Sequence, residues 1–260
     1  MPRALQTVAG FYTGGAAGTG VATNAPGDSF TVAQYTNGTC QLAHLSASGA
    51  STDWIRVRSP RMNDNNQNIK AWLGSVKQQH LIPLDASQSL YSGDTPTFEI
   101  DVTAAASGGV LATYEYDDFP GASPRLDTWD SIQPRIQNLY YAETDLAGGA
   151  IGSWSAGQAL NSVYDDFHAG CDYAVLGYIC TTPCLGVKLT GPDTGNLGIG
   201  GPGIGDSWFT RDYFIRQTVA TGRPFIPIIA ANNKGGTLAQ NVDSAANTAT
   251  KVAWVLGLLG

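Results

Sequence analysis

Residues Leu197 to Asp206 read LGIGGPGIGD, and Gly198, Gly200 and Gly203 fall at the Gly-x-Gly-x-x-Gly spacing that cradles a dinucleotide pyrophosphate. That chemistry requires the glycines to leave a parallel strand directly and open a helix, with an acid about 20 residues further on for the ribose. A strand-like segment, CLGVKLT, precedes them and a helical pattern follows. Pro202, however, stiffens the place where backbone amides should converge. The segment after the helical pattern supplies Asn232 and Asn233, with no carboxylate until Asp243. No βαβαβ series surrounds the motif. The stretch from Thr190 to Gly205 therefore reads as a surface insertion loop that binds no nucleotide.

Other reactive residues are equally short of partners. Asp117-Asp118 and Asp165-Asp166 are paired acids, but glycoside hydrolysis needs two carboxyls facing each other across a cleft, and neighbours on a strand point to opposite faces. These acids, and Asp64 near NDNN, read as loop ends. His44 and His80 sit inside apolar strand patterns and no Gly-x-Ser-x-Gly elbow accompanies them. Cys171, Cys180 and Cys184, with His168 as a fourth ligand, are the one combination that could approach a zinc site. The cysteines, Cys40 included, read instead as small buried residues with room for one disulfide. Of the tryptophans, Trp54, Trp208 and Trp254 lie in apolar contexts expected for a core, and only Trp129 and Trp154 are left as a sugar-stacking platform. No catalytic, cofactor-binding or metal-binding residue is assigned, and the chain is not expected to be an enzyme.

Composition narrows the remaining classes. A net charge of -7 opposes tight binding to phosphate backbones, which needs clustered Lys and Arg. With 43% hydrophobic and only 13% charged residues, and 32 glycines, the chain reads as an ordered, turn-rich, strand-dominated protein and not as a disordered one. The N-terminus lacks an unbroken apolar run of signal-peptide length, so it reads as unprocessed. No window is long and apolar enough to span a bilayer as a helix.

The elements follow from periodicity. TFEIDV, DWIRVR and GVLATYEY alternate with the period of two of half-buried strands; in the last, Val110, Ala112, Tyr114 and Tyr116 oppose Leu111, Thr113 and Glu115. Two stretches read as short helices. Asn66 to Gln79 places Ile69, Leu73 and Val76 on one stripe, and a second helix opens on a capping Asp206 with Trp208, Ile215 and Val219 in register. Each is followed by a strand carrying Ile-Pro, at Ile82-Pro83 and Ile226-Pro227.

That recurrence marks an internal repeat. The two Ile-Pro strands lie 144 residues apart, and Val110 lies 142 from Val252, so spacing after the helix is nearly the same in both halves. Upstream, Asp53 and Trp54 align with Asp172 and Tyr173 at an offset of 119, which places roughly 25 extra residues in the second half, around the glycine stretch. Phe11-Tyr12 and Tyr140-Tyr141 rhyme near the two beginnings. The boundary falls in DDFPGASPRLDTWDSIQP, where Pro120, Gly121, Pro124 and Pro134 forbid a continuous element. The division expected is a first unit over 1–122 with an N-terminal arm, a linker over 123–133, and a second unit over 134–260 with a Gly/Pro-rich insertion at 181–206. Six or seven strands can be counted in each unit.

Two similar β-rich units, each with a helix before an Ile-Pro strand, resemble the double jelly-roll major capsid proteins of icosahedral, membrane-containing bacterial viruses. The resemblance implies an all-β chain with two short helices, folded as two tandem jelly-roll sandwiches. It implies a homotrimer forming pseudo-hexagonal capsomers of a viral coat, located in the virion after synthesis in the host cytoplasm. It also implies contacts with minor capsid and vertex proteins and with an internal membrane, and no sequence-specific nucleic-acid binding. The insertion would project at the capsid exterior or pack on a neighbouring capsomer. The alternatives are a secreted two-domain carbohydrate-binding protein or glycoside hydrolase, and a phage tail or receptor-binding protein.

Overall fold

The structure is a computed structural model that describes residues 3–13, 18–24, 40–49, 52–58, 69–72, 82–90, 97–102, 107–116, 121–148, 150, 152–203, 210–243 and 249–260; up to residue 116, side chains are described at 3–11, 109 and 111–116. Asp64, His80, Asp117, Asp118, Pro120, Gly205, Asp206 and Trp208 lie outside the described residues, and Cys40, His44, Trp54 and Trp72 are described as backbone positions alone.

The chain is all-β with few short helices. Residues up to 116 form β1 (Ala4–Thr13), β2 (Gly18–Asn24), β3 (Cys40–Gly49), β4 (Thr52–Arg58), β5 (Ile69–Trp72), β6 (Ile82–Leu90), β7 (Thr97–Val102) and β8 (Ser107–Tyr116). Their order is β5-β4-β7-β2-β1-β8-β3-β6. The β1–β2 pairing spans only Gly10↔Asn24 and Phe11↔Thr23. That narrow join divides the sheet into two groups of four: first, eighth, third, sixth, and second, seventh, fourth, fifth.

Later residues form β9 (Leu126–Asp127), α1 (Trp129–Ile132), β10 (Ile136–Leu146), β11 (Gln158–Ala159), β12 (Tyr164–Asp165), β13 (Asp172–Cys180), β14 (Cys184–Thr190), β15 (Ile199–Gly203), α2 (Tyr213–Thr221), β16 (Ile226–Ala230), β17 (Leu238–Val242) and β18 (Thr250–Leu259). One sheet runs β12-β10-β18-β13-β16-β9 and the other β11-β17-β14-β15. With β9 and β12 set aside as additional edge strands, the remaining eight repeat the order of the first half. β10-β18-β13-β16 is again first, eighth, third, sixth, and β11-β17-β14-β15 is again second, seventh, fourth, fifth. The Ile82-Pro83 and Ile226-Pro227 strands, β6 and β16, both flank the third strand of their half.

Three expectations are corrected by this order. Ile69–Trp72 is a strand and not the start of a helix over 66–79; its positions pair with β4 from Trp54↔Trp72 to Val57↔Ile69. A run of four residues fits both periods, and cross-strand pairing decides it. The expected helix start at Asp206 lies outside the described residues; the helix described runs from Tyr213, with Asp212 at its N-cap, and buries Tyr213, Phe214, Gln217 and Thr218. Val219, expected on the buried stripe, is 66% exposed. The aromatic pair sets the register, and Gly222 ends the helix at a positive φ of 65° with its amide on the Thr218 carbonyl.

The third correction is the upstream alignment. Trp54 lies on β4, the fourth strand of its half, whereas Tyr173 lies on β13, the third. Once β4 is matched with β14 and β5 with β15, the longer connection in the second half becomes 204–225 against 73–81. It follows the glycine stretch and contains α2. Phe11-Tyr12 and Tyr140-Tyr141 do share the first strand of their halves. The stretch read as a linker, 123–133, carries β9, which extends the β16 edge through Ile226↔Asp127, and α1, capped by the Thr128 hydroxyl accepting from the Ser131 amide.

The second half closes around Trp254, Tyr178, Tyr173, Phe214 and Phe225, all buried, with Tyr178 at 5.4 Å from Trp254 and 6.1 Å from Phe214 between ring centroids. Tilted and edge-on rings at such spacing pack a sandwich interior densely. Leu5, from β1, belongs to the same cluster and joins the halves.

Candidate functional site: the seam between the halves

β1 and β8 pair along their full length, from Ala4↔Tyr116 to Thr13↔Ser107. Strand alternation places Leu5, Thr7, Ala9 and Phe11 with Leu111, Thr113 and Glu115 on one face, and Ala4, Val8, Ala112, Tyr114 and Tyr116 on the other. Both sets are buried. An alternating strand was expected to keep its Thr113 and Glu115 side in water, but that side is covered by the second half.

The cover is built from β14, β15 and β17. Ala9, Phe11 and Leu111 pack with Leu185 and Val242, and part of Trp154 closes the cluster. Each large apolar side chain fully withdrawn from water contributes about 1.5–3 kcal/mol. Gly186 admits Leu111, since a Cβ there would lie 2.5 Å from Leu111 Cδ1.

Polar groups along the seam are paired. The Thr7 amide donates to the Gly198 carbonyl (2.7 Å), and the Thr7 hydroxyl accepts from the Gly200 amide (3.1 Å) beside the Thr113 hydroxyl (3.1 Å). Glu115, 3% exposed, receives Arg3 at 3.5 Å and a close contact from Arg223, which follows α2. Its two cations reach water while the carboxylate does not, so the pair fixes one half against the other at a dry anchor.

This seam explains the glycine stretch. Ile199–Gly203 is a fully buried strand, antiparallel to β14 through Leu189↔Ile199 and Val187↔Gly201. The expected projecting loop from Thr190 to Gly205, and with it the insertion at 181–206, is corrected: β14 and β15 are ladder strands present in both halves. Glycine is required there by contact. A Cβ on Gly200 would lie 1.8 Å from the Val187 carbonyl oxygen, and one on Gly201 would lie 2.3 Å from Tyr213 Cζ. The Tyr178 hydroxyl donates to the Pro202 carbonyl (2.9 Å) and the Tyr213 hydroxyl to that of Gly200 (3.3 Å). Burial pushes both phenols up, so they stay protonated donors at neutral pH. A dinucleotide loop would instead aim its amides into an open crevice at a helix start.

The other reactive residues fall in separate places. Asp165 accepts from Lys234 Nζ (2.7 Å) and the Phe167 amide, whereas Asp166 accepts from the Tyr141 amide (3.2 Å) and the Tyr164 hydroxyl. The two acids thus serve different local contacts. His168 is exposed, its ring edge-on to Tyr140 at 5.0 Å. Cys180 and Cys184 are buried at the ends of the turn 181–183; hydrogen bonding to Cys180 and burial push the Cys184 thiol well up, which suppresses the reactive thiolate. Among the described residues no group of three or more His, Cys, Asp or Glu is placed to hold a metal, and no helix is long and apolar enough to cross a membrane. Trp129 packs against the second core, and Trp154 lies beneath Lys188 Nζ at 3.9 Å from the ring centroid. Sequence reasoning missed Thr7, Glu115 and Arg223; the one available signal was a charged residue between Tyr114 and Tyr116.

No protein-family model matches the chain, and no curated protein matches it. Among solved structures, the major capsid protein P2 of bacteriophage PM2 is similar over 99% of this chain and 98% of its own, at 6% identity and a TM-score of 0.21.

Proposed function

We propose that this chain is a structural virion protein, a major capsid protein folded as a double jelly roll. The observation that carries the reading is the strand order first-eighth-third-sixth with second-seventh-fourth-fifth, found in both halves. That order is two interlocked Greek keys, the arrangement of jelly rolls in viral coats. A seam that buries both faces of the β1–β8 pair supports it, because a coat subunit must hold its two rolls as one rigid block. The acidic balance of -7 also suits a shell that must not adhere to its genome.

On this reading the chain is no enzyme. Its first partner is itself, as a homotrimer whose six rolls form a pseudo-hexagonal capsomer of an icosahedral bacteriophage shell. Minor capsid and vertex proteins and an internal membrane are its further partners, and the virion is its location. Light scattering and negative-stain microscopy of the expressed full chain test the reading. Trimers seen as hexagonal blocks or shells are expected; a stable monomer at micromolar concentration with affinity for glycans would overturn it in favour of a carbohydrate-binding protein.

A further inference from the structure

An antiparallel sheet with one face on its core usually turns a polar face to water. The outer face of β12-β10-β18-β13 departs from this. Leu139, Tyr141 and Glu143 alternate outward along β10, Tyr141 lies opposite Val255 of β18, and Tyr164 of β12 lies opposite Glu143. Leu139 is 48% exposed and Tyr164 51%. At the Leu139 end the backbone of Thr210–Arg211 crosses the sheet over Gly177, where a Cβ would lie 2.3 Å from the Arg211 carbonyl oxygen. Between that crossing and the sheet lies an open depression of about 290 Å³, floored by Leu139, Leu176, Ile215 and Val255 and rimmed by Arg211, Asp212 and Arg216.

The two ends of this face differ in charge. At the depression, Asp212 lies 2.7 Å from Arg216, which leaves the charge of Arg211 in excess. At the Tyr164 end, Lys234 answers Asp165 and Lys251 stands opposite Asp145, which leaves Glu143 and Asp166 in excess. Four residues of β10 separate Leu139 from Glu143, about 13 Å along the strand. A face with Leu139, Tyr141 and Val255 along it, positive at one end and negative at the other, is complementary to itself when turned by a half rotation, which is the requirement of a two-fold contact.

We infer that the outer face of β12-β10-β18-β13 docks on the same face of a second copy of this chain, with the Tyr164 and Glu143 end of each copy over the Arg211-rimmed depression of the other. The inference goes beyond the coat reading and does not rest on it; within a coat the contact would join capsomers and not subunits of one capsomer.

Sedimentation velocity of the full chain across the micromolar range tests the contact. Concentration-dependent association is expected, weakened about tenfold or more by Leu139→Glu at an exposed position that leaves the thermal melt unchanged. Arg211→Glu and Glu143→Arg should each weaken it, and the two together in one chain should restore it, a result that loss of folding cannot mimic. Association that Leu139→Glu leaves unchanged, a double variant as weak as the singles, or a wild-type chain monomeric throughout would each overturn the contact. Trimeric blocks seen by microscopy alongside either of the first two results would leave the coat reading standing and sink the contact alone, so the two failures are distinguishable.

Discussion

The fifth strand of each half occupies the same place in its sheet, yet one reads IKAW (β5) and the other IGGPG (β15). Among the described strands, the fifth pairs with the fourth alone in both halves. β15 is also pressed between Thr7 of the first half and the rings of Tyr178 and Tyr213 of its own. Side chains there would have no volume to occupy. The comparison teaches that strand order is set by pairing, whereas the residues on a strand are set by whatever approaches it; a glycine run can mark a crowded strand as readily as an open loop.

The harshest test of that contrast is Gly200→Val. The new Cβ would overlap the Val187 carbonyl oxygen, a backbone atom that no rotamer change can remove. We expect a loss above about 4 kcal/mol and no soluble folded chain, read as absence of a cooperative urea transition. A Gly200→Val chain with a near-native midpoint would show that β15 is not packed against its neighbours.

Gly201→Ala probes the same crowding against movable atoms. Its Cβ would meet Tyr213 Cζ and the Tyr178 hydroxyl, so overpacking should cost about 1–3 kcal/mol. Tyr213→Leu opens part of that space. The pair of substitutions should therefore cost less than the sum of the two, by a double-mutant cycle on urea midpoints.

Next in size is the anchor across the seam. Arg223→Ala removes one of two cations from a carboxylate that is almost wholly buried, and Arg3 remains. A loss of about 1–3 kcal/mol is expected, reduced by the partial exposure of Arg223. If the seam couples the halves, the same substitution should also separate one unfolding transition into two in calorimetry. A single unshifted transition would mean that the halves are held by other contacts.

These effects also show what could be read without the fold. TFEIDV, DWIRVR and GVLATYEY fall on β7, β4 and β8 because alternation with β-branched and aromatic residues is a local property. The Ile-Pro repeat was legible too, since it survives in sequence at one topological position. The burial of Thr113 and Glu115 was not, because local alternation assigns polar residues to water and cannot foresee the second half covering that side. The glycine stretch failed for the same reason: its constraint comes from the Val187 backbone and the rings of Tyr178 and Tyr213, which only the folded sheets bring against it. Aligning Trp54 with Tyr173 failed because a single aromatic residue recurs by chance, whereas paired strands fix equivalence.

The smallest effect concerns the edges, where the halves also differ: β6 ends its sheet among the described strands, while β16 is extended by β9 from the segment between the halves. Arg125, just before β9, holds that extension. Its guanidinium bonds both carboxylate oxygens of Asp172, with Nη1 at 3.0 Å from Oδ1, and lies 3.7 Å from Asp193. Hydrogen bonding to Arg125 pulls the Asp172 carboxyl below its ordinary value. A group with a depressed folded-state pKa stabilises the fold above its unfolded value near 4, and that contribution is lost as pH falls through the folded value. Because both side chains are more than one-third exposed, screening limits the pair to less than about 1 kcal/mol. Arg125→Ala should therefore lower the urea midpoint slightly at pH 6, and the difference from the wild type should shrink on acidification below pH 4. Hydrogen exchange should locate the change at the Ile228 amide, which donates to the Arg125 carbonyl at 2.8 Å, and at the Phe225 amide, which donates to Asp127. Equal protection in both chains at those two amides would show that β9 stays in place without its arginine and that the edge difference between the halves depends on the backbone ladder alone.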